Sequence, residues 1–512
     1  MARLDTFPPE TLATLMGTFP MAAVRPANPA ETSKWGATRC LVYHAALVLV
    51  VVGLYFMLDP SPLLITAGAL VGPYFFLMVY VESKKAPLKI SPISVYFFWQ
   101  SFALGVAAIY AGFQISDGSS LTLSGHMLNP GVVATGYLIG VIGTLFLHAG
   151  MQVTRPKPQA VLTPLNSREV LSLMTRFGLL YGMGLCILFL ASKLRFMGTL
   201  TSSFEFAAHA ALVGFVLIPK DKLKLPESSR LGVVLLGTLF LLLASTSAGA
   251  KLYFMMALVG LLVYVLQNRN FKRHLPLAGV VILLFYLSVV APTVTKSREL
   301  RARYQVGLVA SQIEGFKEAS PLYTGVVDKE FYAEQMETLL RRQFEATSIA
   351  FIVREVQVRG FLYGENFYQV RYALIPRIFW SEKPWVIRGG WFTSYIGSSP
   401  REQDSTYSVG MEAAGELYWN FGILGVTLGM FVIGSMIGGL WRMAGYDPRM
   451  EPLRLSLYIY ISLGMMNLPE AASRMVSCIS LFLIYGTIFF LIRPHQQTKA
   501  VVFQRTQFSP PI

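Results

Sequence analysis

The sequence predicts an all-α polytopic membrane protein with about twelve transmembrane helices. Of its 512 residues, 54% are hydrophobic and only 14% are charged, which is too apolar for a water-soluble globule of ordinary composition. The mean hydropathy of +0.52 agrees with this. The apolar residues also gather in runs close to the roughly 20 residues that a helix needs to cross a bilayer.

Twelve apolar runs are candidates for these helices. The runs at 204–218, 252–267 and 455–468 are shorter than a full crossing requires. The complete set is 40–58, 62–81, 93–113, 131–150, 173–191, 204–218, 231–246, 252–267, 275–292, 420–440, 455–468 and 475–492.

The apolar runs divide the chain into five parts. The first 38 residues lack a continuous apolar stretch, so we expect a polar cytoplasmic tail there and no cleaved signal peptide. The predicted parts are the tail 1–38, a nine-helix transmembrane region 39–292, a large loop 293–419, a three-helix transmembrane region 420–492 and a cytoplasmic tail 493–512.

Lysine and arginine residues indicate which side of the membrane each loop faces, because positive residues near helix ends are retained in the cytoplasm. With both termini cytoplasmic, 24 of the 43 lie in cytoplasmic segments and only four lie in the short outer loops. The other 15 lie in residues 293–419, which this topology places outside. Long loops without their own structure are uncommon and are usually functional.

Charge and cysteine content exclude two classes of function. Residues 293–419 carry 15 acidic as well as 15 basic residues, so the net charge of +15 lies elsewhere and follows the topology. Attraction to anionic lipid is a further role for this positive charge, and nucleic acid is not an expected partner. All three cysteines, Cys40, Cys186 and Cys478, lie in apolar runs, so neither a disulfide framework nor a clustered metal site is expected.

The middle of the large loop has the apolar spacing of an amphipathic helix. The pattern runs from Asp328 to Val358, and Gly360 and Gly364 then interrupt it. We expect helices that lie on or near the outer membrane surface in this part of the chain.

The densest run of unusual residues in the loop lies between Ile375 and Trp385. Arg377 and Lys383 stand beside prolines, which fix the backbone in a rigid turn. Aromatic rings next to guanidinium groups suit a ligand that is partly sugar and partly phosphate. The alternative is a membrane-interface belt, where Trp, Tyr and Arg also gather. The candidate sugar-binding rings are Trp380, Trp385, Trp391 and Tyr407.

Two motifs follow one another near the end of this loop. Their residues are Pro376-Arg377, Trp380 and Lys383-Pro384, then Ser408-Val409-Gly410 and the stretch from Gly415 to Gly422. Together with the many helices and the single large loop, they resemble bacterial O-antigen and exopolysaccharide repeat-unit polymerases of the Wzy type. The segment from Ser245 to Lys251 is similar to a family segment that often ends in Arg, although here it ends in Lys.

The resemblance implies a GT-C-like glycosyltransferase in the bacterial inner membrane, with its active site on the periplasmic side. Such an enzyme moves a growing glycan from polyprenyl diphosphate to the non-reducing end of the next lipid-linked repeat unit. The expected partners are the lipid-linked oligosaccharide, membrane lipid, a chain-length regulator and a flippase, and no cofactor is expected.

This reaction needs cations to stabilise the departing lipid diphosphate. Arg377 is the first candidate, and Lys383 and Arg401 follow it. Lys193 and Arg195 lie against the charge trend of the outer loops, so they are either functional or tolerated. The full set of candidates is Arg377, Lys383, Arg401, Arg341, Arg371, Arg388, Arg195, Lys251 and Arg474.

The acceptor hydroxyl needs a general base. The family often has a histidine in the large loop, but none of the six histidines lies within 293–419, so carboxylates are the candidates. Glu412 and Glu416 are spaced i, i+4 and are predicted to share one helical face; stabilisation of a helix N-terminus is the alternative role. Glu205 with His209 is a second pair, for which the alternative is a polar contact between helices.

Metal or nucleotide chemistry has no support in the sequence. No Asp-x-Asp, GxxxxGK[ST] or GxGxxG motif occurs. The principal rival functions are a transporter or flippase of lipid-linked sugars and an O-antigen ligase. Twelve helices with both ends in the cytoplasm are also a common layout of transporters. A non-enzymatic scaffold for polysaccharide export is a third.

Overall fold

The structure is a computed structural model of the full chain. It describes residues 29–88, 90–157, 167–190, 203–218, 225–248, 257–267, 289–304, 308–323, 329–369, 388–397, 409–449, 451–464 and 470–507, with the single residues 223, 380, 382 and 468. The chain divides into two units, residues 1–47 and 48–512. In the first unit the described part is the beginning of one helix, and every other described element belongs to the second.

Helices account for almost all of the regular structure that is described. The exception is an antiparallel β hairpin whose two strands, β1 (Thr122–Leu123) and β2 (His126–Met127), have two residues each. The helices are α1 Pro29–Met57, α2 Pro60–Lys85, α3 Pro92–Ser101, α4 Ala107–Ser116, α5 Pro130–Thr154, α6 Ser167–Leu190, α7 Ala207–Leu217, α8 Glu227–Ala248, α9 Val259–Gln267, α10 Ala291–Tyr304, α11 Leu308–Tyr323, α12 Lys329–Gln343, α13 Ala346–Arg359, α14 Arg388–Tyr395, α15 Ala413–Ala444, α16 Pro452–Gly464 and α17 Ala471–Gln507.

The prediction of an all-α membrane protein is confirmed in its coarse form. Among the described residues, six helices are long and apolar enough to cross a membrane. They are Pro60–Lys85, Pro92–Ser116, Pro130–Thr154, Glu169–Leu188, Ala413–Ala444 and Ala471–Leu491. Leu41–Met57 and Ala207–Leu217 are apolar but shorter.

For the other predicted spans, a full crossing stays a prediction. The run 455–468 corresponds to α16, whose 13 residues extend about 20 Å, less than the hydrocarbon core of about 30 Å. The runs 231–246 and 252–267 overlap α8 and α9, which are not among the six. Most of the run 275–292 lies outside the described residues.

Helix α5 is the centre of the bundle, and it packs closely against α15 because both helices carry glycines at the contact. A Cβ atom at Gly150 would lie 2.1 Å from the carbonyl oxygen of Phe431, and one at Gly434 would lie 2.0 Å from that of Leu147. Small residues allow this approach between membrane helices. Thr154 adds a hydrogen bond of 2.9 Å to the carbonyl oxygen of Ser435.

A π-helical turn, Phe102–Val106, joins α3 to α4 within one apolar span. Its Gly105 lies against α2, where an added Cβ would be 2.6 Å from the Cα of Gly72. Tyr137 of α5 donates a hydrogen bond of 2.9 Å to the carbonyl oxygen of Leu104. Turns of this kind are frequent at functional sites.

Two ends of the bundle can be told apart by their charges. At one end, called here the basic end, Arg155 lies 3.7 Å from Glu82 and Tyr446 donates a hydrogen bond to the carbonyl oxygen of Lys85. The β hairpin follows the other end of the α3–α4 span. We call this the cavity end, because a cavity described below opens there.

Helix α13 follows α12 after a two-residue turn and packs against α5. A Cβ at Gly136 of α5 would lie 2.8 Å from both the carbonyl oxygen of Ala346 and the nitrogen of Ala350. Ile349 and Ile352 of α13 are at most 1% exposed. The sequence predicted helices on or near the outer membrane surface here; that position stays a prediction, and the contacts at Gly136 show that α13 packs on α5. An amphipathic pattern indicates which face of a helix is apolar, but it does not indicate what covers the polar face.

Helix α15 reverses direction at Gly422, where φ is 62° and ψ is −154°. A Cβ at Gly429 would lie 2.5 Å from the side chain of Leu417, whereas twelve residues of straight helix span about 18 Å. The first arm, which precedes Gly422, therefore folds back on the second. An added Cβ at Gly143 of α5 would lie 2.9 Å from the Cβ of Ala414 and 3.6 Å from the Cε of Met430, so both arms lie beside the middle of α5.

Candidate functional site

A cavity of about 640 Å³ opens at the cavity end of the bundle and extends between α4, α10, α12 and the start of α15. This volume lies within the range of about 300–1,000 Å³ that is common for ligand sites. Its lining residues are Ala107, Tyr110, Ala111, Leu121, Thr122, Leu123, Ser124, Thr295, Glu299, Arg341, Arg342, Phe344, Glu345, Thr347, Ser348, Val409, Gly410 and Glu412.

Glu345 lies at the turn between α12 and α13, and hydrogen bonds from α3 hold its carboxylate in place. Trp99 donates from its indole nitrogen to Oε1 at 3.0 Å. Gln100 donates from Nε2 to Oε2 at 3.2 Å and to Oε1 at 3.4 Å. Trp99 and Gln100 belong to the half of the α3–α4 span nearer the basic end, so the α12–α13 turn reaches deep into the bundle.

The pKa of Glu345 is raised from its ordinary value to about 7. Burial is the main cause, because removing a carboxylate from water disfavours its charged form. The hydrogen bonds from Gln100 and Trp99 act in the opposite direction, since they stabilise the charged form. A carboxylate with a pKa near 7 is well matched to general-base catalysis at neutral pH.

Glu412 lines the same cavity immediately before α15, and its backbone is strained. Its φ of 59° and ψ of 141° lie in a region that L-residues rarely adopt, at a cost of about 1–3 kcal/mol. Burial raises the pKa of Glu412 well above its usual value, and the negative charges of Glu345 and Glu470 raise it further. Burial and the neighbouring carboxylates therefore both favour the protonated form of Glu412.

The cations of the cavity are Arg341 and Arg342, at the end of α12. Both line the wall, although neighbouring residues on a helix point about 100° apart. Arg341 Nη2 lies 2.6 Å from Glu337 Oε1 and donates to Gln114 Oε1 at 3.4 Å. Each guanidinium can form two parallel hydrogen bonds to a phosphate group.

Glu416 does not share the surroundings of Glu412. It is fully buried, and its Oε2 accepts a hydrogen bond of 3.0 Å from the backbone nitrogen of Ala472, in the first turn of α17. A carboxylate at this position stabilises a helix N-terminus. The sequence predicted one helical face for both carboxylates, but Glu412 precedes the helix and its positive φ turns it towards the cavity.

The second predicted pair, Glu205 and His209, lies outside this cavity. His209 is 1% exposed, and its ring lies 5.5 Å from that of Phe206 in an edge-on arrangement. Neither ring nitrogen has a hydrogen-bond partner among the described residues. Glu205 and Arg474 both interact electrostatically with Tyr460 of α16, so they form a separate polar group beside α16 and α17.

The described aromatic residues around α14 pack mainly against one another. The ring of Trp391 lies 6.0 Å from that of Trp419, which is 1% exposed, and 5.5 Å from that of Tyr395. Tyr395 donates a hydrogen bond of 2.9 Å to Glu355 and accepts one of 2.7 Å from Arg359. Burial, and then Glu355, raise the pKa of Tyr395 to about 12. Trp391 therefore belongs to the packed core of this loop, and it does not line the cavity.

Most of the predicted diphosphate ligands and two of the predicted rings are not described. Arg388 is described only as the first residue of α14, and Trp380 is partly exposed. The residues outside the described part of the chain are Arg195, Lys251, Arg371, Arg377, Lys383, Arg401, Trp385 and Tyr407.

Sequence reasoning did not identify Glu345, Trp99 or Gln100. Glu345 continues an amphipathic pattern in which solvated charges are expected, and Trp99 and Gln100 lie within an apolar run. A polar residue inside a predicted span is a signal for a site, so Gln100 could have been noted. Its partner, 245 residues further along the chain, could not have been identified.

No protein-family model, curated protein or solved structure matches the chain. The long apolar helices support a membrane protein, and the function rests on the chemistry of the cavity. That cavity combines a carboxylate whose pKa is raised to about 7, a second one whose pKa is also raised, and two guanidinium groups. This arrangement can take a proton from a hydroxyl and stabilise a phosphate-bearing leaving group.

Proposed function

We propose that the protein is a membrane glycosyltransferase that polymerises lipid-linked oligosaccharide repeat units. It transfers a growing glycan from polyprenyl diphosphate to the non-reducing end of an incoming lipid-linked unit. The observation that carries the proposal is the pairing of Glu345 and Glu412 with Arg341 and Arg342 in one cavity among apolar helices. The motifs between Pro376 and Gly422 support the same function by resemblance.

In the proposed reaction, Glu345 is the general base. The hydroxyl oxygen of the acceptor sugar attacks the anomeric carbon of the donor glycan and forms the new glycosidic bond. The bond between that carbon and the diphosphate oxygen breaks, and the diphosphate leaves with the electron pair. The hydroxyl proton passes to Glu345, whose pKa of about 7 allows it to accept a proton and release it again.

The other three groups stabilise charge and position the sugars. Arg341 and Arg342 stabilise the negative charge that builds on the departing diphosphate, and forked guanidinium groups match its oxygens. In this proposal Glu412, whose pKa is raised by burial and by neighbouring carboxylates, is protonated, so it donates a hydrogen bond and adds no negative charge beside the diphosphate. In this proposal the cavity end faces the periplasm of a bacterial inner membrane, since the basic end is expected to face the cytoplasm.

The experiment that tests this function is complementation of a deletion strain, with the surface glycan analysed by gel. We expect single repeat units on lipid in the deletion strain and long chains when the wild-type gene is restored. Glu345→Gln removes the base and should lower chain growth at least about 100-fold. Glu412→Gln imitates the protonated carboxyl group and should retain most of the activity.

The matched control is Glu314→Gln, which removes the same charge from an exposed side chain on α11 and should leave chain growth unchanged. Membrane levels of all variants are compared by immunoblot. Normal polymer from Glu345→Gln would remove this residue from the reaction. Long but unattached chains in the deletion strain would indicate a ligase.

A transporter or flippase of lipid-linked sugars is the second candidate, and the interrupted helices favour it. Helix α7 has 11 residues, α16 has 13 and the first arm of α15 turns back at Gly422. Carriers often place their sites at such breaks. Loss of a flippase leaves repeat units on the cytoplasmic face, where an added periplasmic glycosidase cannot reach them, whereas loss of a polymerase leaves them accessible.

A further inference from the structure

A second cavity lies at the basic end and is independent of the proposed glycosyl transfer. It has a volume of about 800 Å³ and runs between α6 and α17, towards the loop that joins α15 to α16. We call it the basic groove. Its walls are apolar and its closed end carries arginines, so it differs in character from the cavity that holds Glu345.

The walls of the basic groove suit a hydrocarbon chain. Leu179 of α6 is 71% exposed and Phe490 of α17 is 74% exposed, and both line the groove. Gly486 also lines it, and an added Cβ there would meet no atom within 4 Å. A glycine beside empty space does not serve helix packing, so the groove has room for an occupant along α17.

The end of the groove is positively charged. Arg176, Arg442 and Arg454 line it, with Glu451 as the single carboxylate among its lining residues. Glu451 Oε2 lies 2.6 Å from Nε of Arg454, whose guanidinium also lies 5.4 Å from the ring centre of Phe489. Arg176 and Arg442 are exposed, and their charges add to a groove end that favours an anion.

The position of Arg442 matches the depth of a lipid headgroup. Arg442 lies in the last turn of α15, and the apolar run of α17 ends at Ile492, two residues after Phe490 and directly before Arg493. Arg442 therefore lies where the apolar helix surface ends and the polar loop begins, and Arg176 lies in the first half of the apolar span of α6. Basic pockets between membrane helices bind anionic headgroups in this way.

We propose that the basic groove binds one anionic phospholipid of the surrounding bilayer. The phosphate of the headgroup contacts Arg176 and Arg442, and one acyl chain lies along Leu179, Gly486 and Phe490. The bound lipid joins α6 to α17, so it stabilises the folded protein by mass action. Charge complementarity selects an anionic lipid over a zwitterionic one.

The test uses the full chain, purified in detergent and stripped of lipid. Phosphatidylglycerol or phosphatidylethanolamine is added in mixed micelles, and binding is followed by thermal shift and by native mass spectrometry. We expect phosphatidylglycerol to raise Tm and to remain bound, and phosphatidylethanolamine to do neither. Replacement of both arginines, Arg176→Gln with Arg442→Gln, should weaken phosphatidylglycerol binding roughly 25-fold, about fivefold for each.

Two further variants separate charge from shape. Lys84→Gln removes a charge from an exposed residue at the same end but outside the groove, and should bind like the wild type. Gly486→Leu keeps every charge but fills the groove, and should also weaken binding. It keeps the proposal testable if the double arginine variant does not fold.

Equal binding of the two lipids would overturn the proposal, and so would double-variant affinity equal to that of Lys84→Gln. A third arm adds polyprenyl phosphate. If this lipid displaces phosphatidylglycerol at equal concentration in an arginine-dependent way, the occupant is not a phospholipid. No displacement supports the proposal.

Discussion

At the scale of single residues, the cavity holds groups that reduce the stability of the fold. Glu345 keeps a carboxylate in a buried place that raises its pKa to about 7, and Glu412 adopts a strained backbone with φ of 59°. Strain and perturbed ionisation tend to occur together at functional sites. Glu416 is also buried, but its carboxylate accepts a hydrogen bond from the backbone nitrogen of Ala472, so it stabilises the fold.

The pKa of Glu345 predicts how the stability of the protein depends on pH. An ordinary glutamate has a pKa of about 4.3, so between about 4.3 and 7 the folded state binds more protons at this site than the unfolded chain. The contribution of Glu345 to stability is therefore greatest below about 4.3 and is lost as the pH rises through 7. Gln cannot ionise, so Glu345→Gln should raise Tm at pH 8 and have a smaller effect at pH 5.

Thermal unfolding in detergent, followed by intrinsic fluorescence at both pH values, measures this difference. Glu314→Gln is the control, because its carboxylate is exposed and lies outside the cavity. An unchanged or lower Tm for Glu345→Gln at pH 8 would mean that the buried carboxylate does not destabilise the protein. That result would contradict the assignment of Glu345 as a base with a pKa near 7.

At the scale of elements, the sequence predicted the apolar runs and failed where the chain reverses inside the bundle. A window of hydropathy is the same for one straight crossing and for a hairpin, so Ala413–Ala444 could not reveal the turn at Gly422. In the same way, the apolar spacing of α13 predicted an amphipathic helix but not its contact with α5. Its burial depends on Gly136, some 210 positions earlier in the chain, and periodicity carries no information about such a contact.

For the site, the sequence directed attention to the end of the large loop, where Glu412 lies, but not to Glu345, Trp99 or Gln100, which also belong to the candidate site. Glu412 was proposed from its spacing with Glu416, although the two carboxylates have different surroundings. Glu345 depends on Trp99 and Gln100, and such long-range pairs come from tertiary packing. The functional roles of Glu345 and Glu412 stay predictions.

The docking of α13 on α5 predicts the effect of a substitution at Gly136. An added Cβ would lie 2.8 Å from backbone atoms of Ala346 and Ala350, and backbone cannot move aside as a side chain can. Gly136→Ala should therefore destabilise the protein by about 1–3 kcal/mol and displace the turn that carries Glu345. Lower Tm and reduced chain growth are the expected measurements.

Gly53→Ala is the matched control for this substitution. Gly53 lies within α1, and a Cβ there would meet no atom within 4 Å. The higher helix propensity of alanine should leave stability equal or slightly higher. If Gly136→Ala and Gly53→Ala were equally stable, α13 would not be packed against α5 as described.

At the scale of the whole molecule, the two cavities lie at opposite ends of the bundle and have different chemistry. The cavity with Glu345 and Glu412 pairs carboxylates with arginines, whereas the basic groove has apolar walls and three arginines. The proposed polymerase function gives a reason for this separation, because the substrates would meet at one membrane face while lipids of the opposite leaflet stabilise the bundle.

This separation predicts which residues a membrane-impermeant maleimide can reach. In a background with Cys40, Cys186 and Cys478 replaced by Ala, Met127→Cys reports on the cavity end, where Met127 is 69% exposed. Lys84→Cys reports on the basic end. Because basic loops are retained in the cytoplasm, Met127→Cys should be labelled in intact spheroplasts, and Lys84→Cys only after permeabilisation. The reverse pattern would place the cavity in the cytosol, away from periplasmic lipid-linked units, and would contradict the polymerase proposal even if Glu345 proved essential.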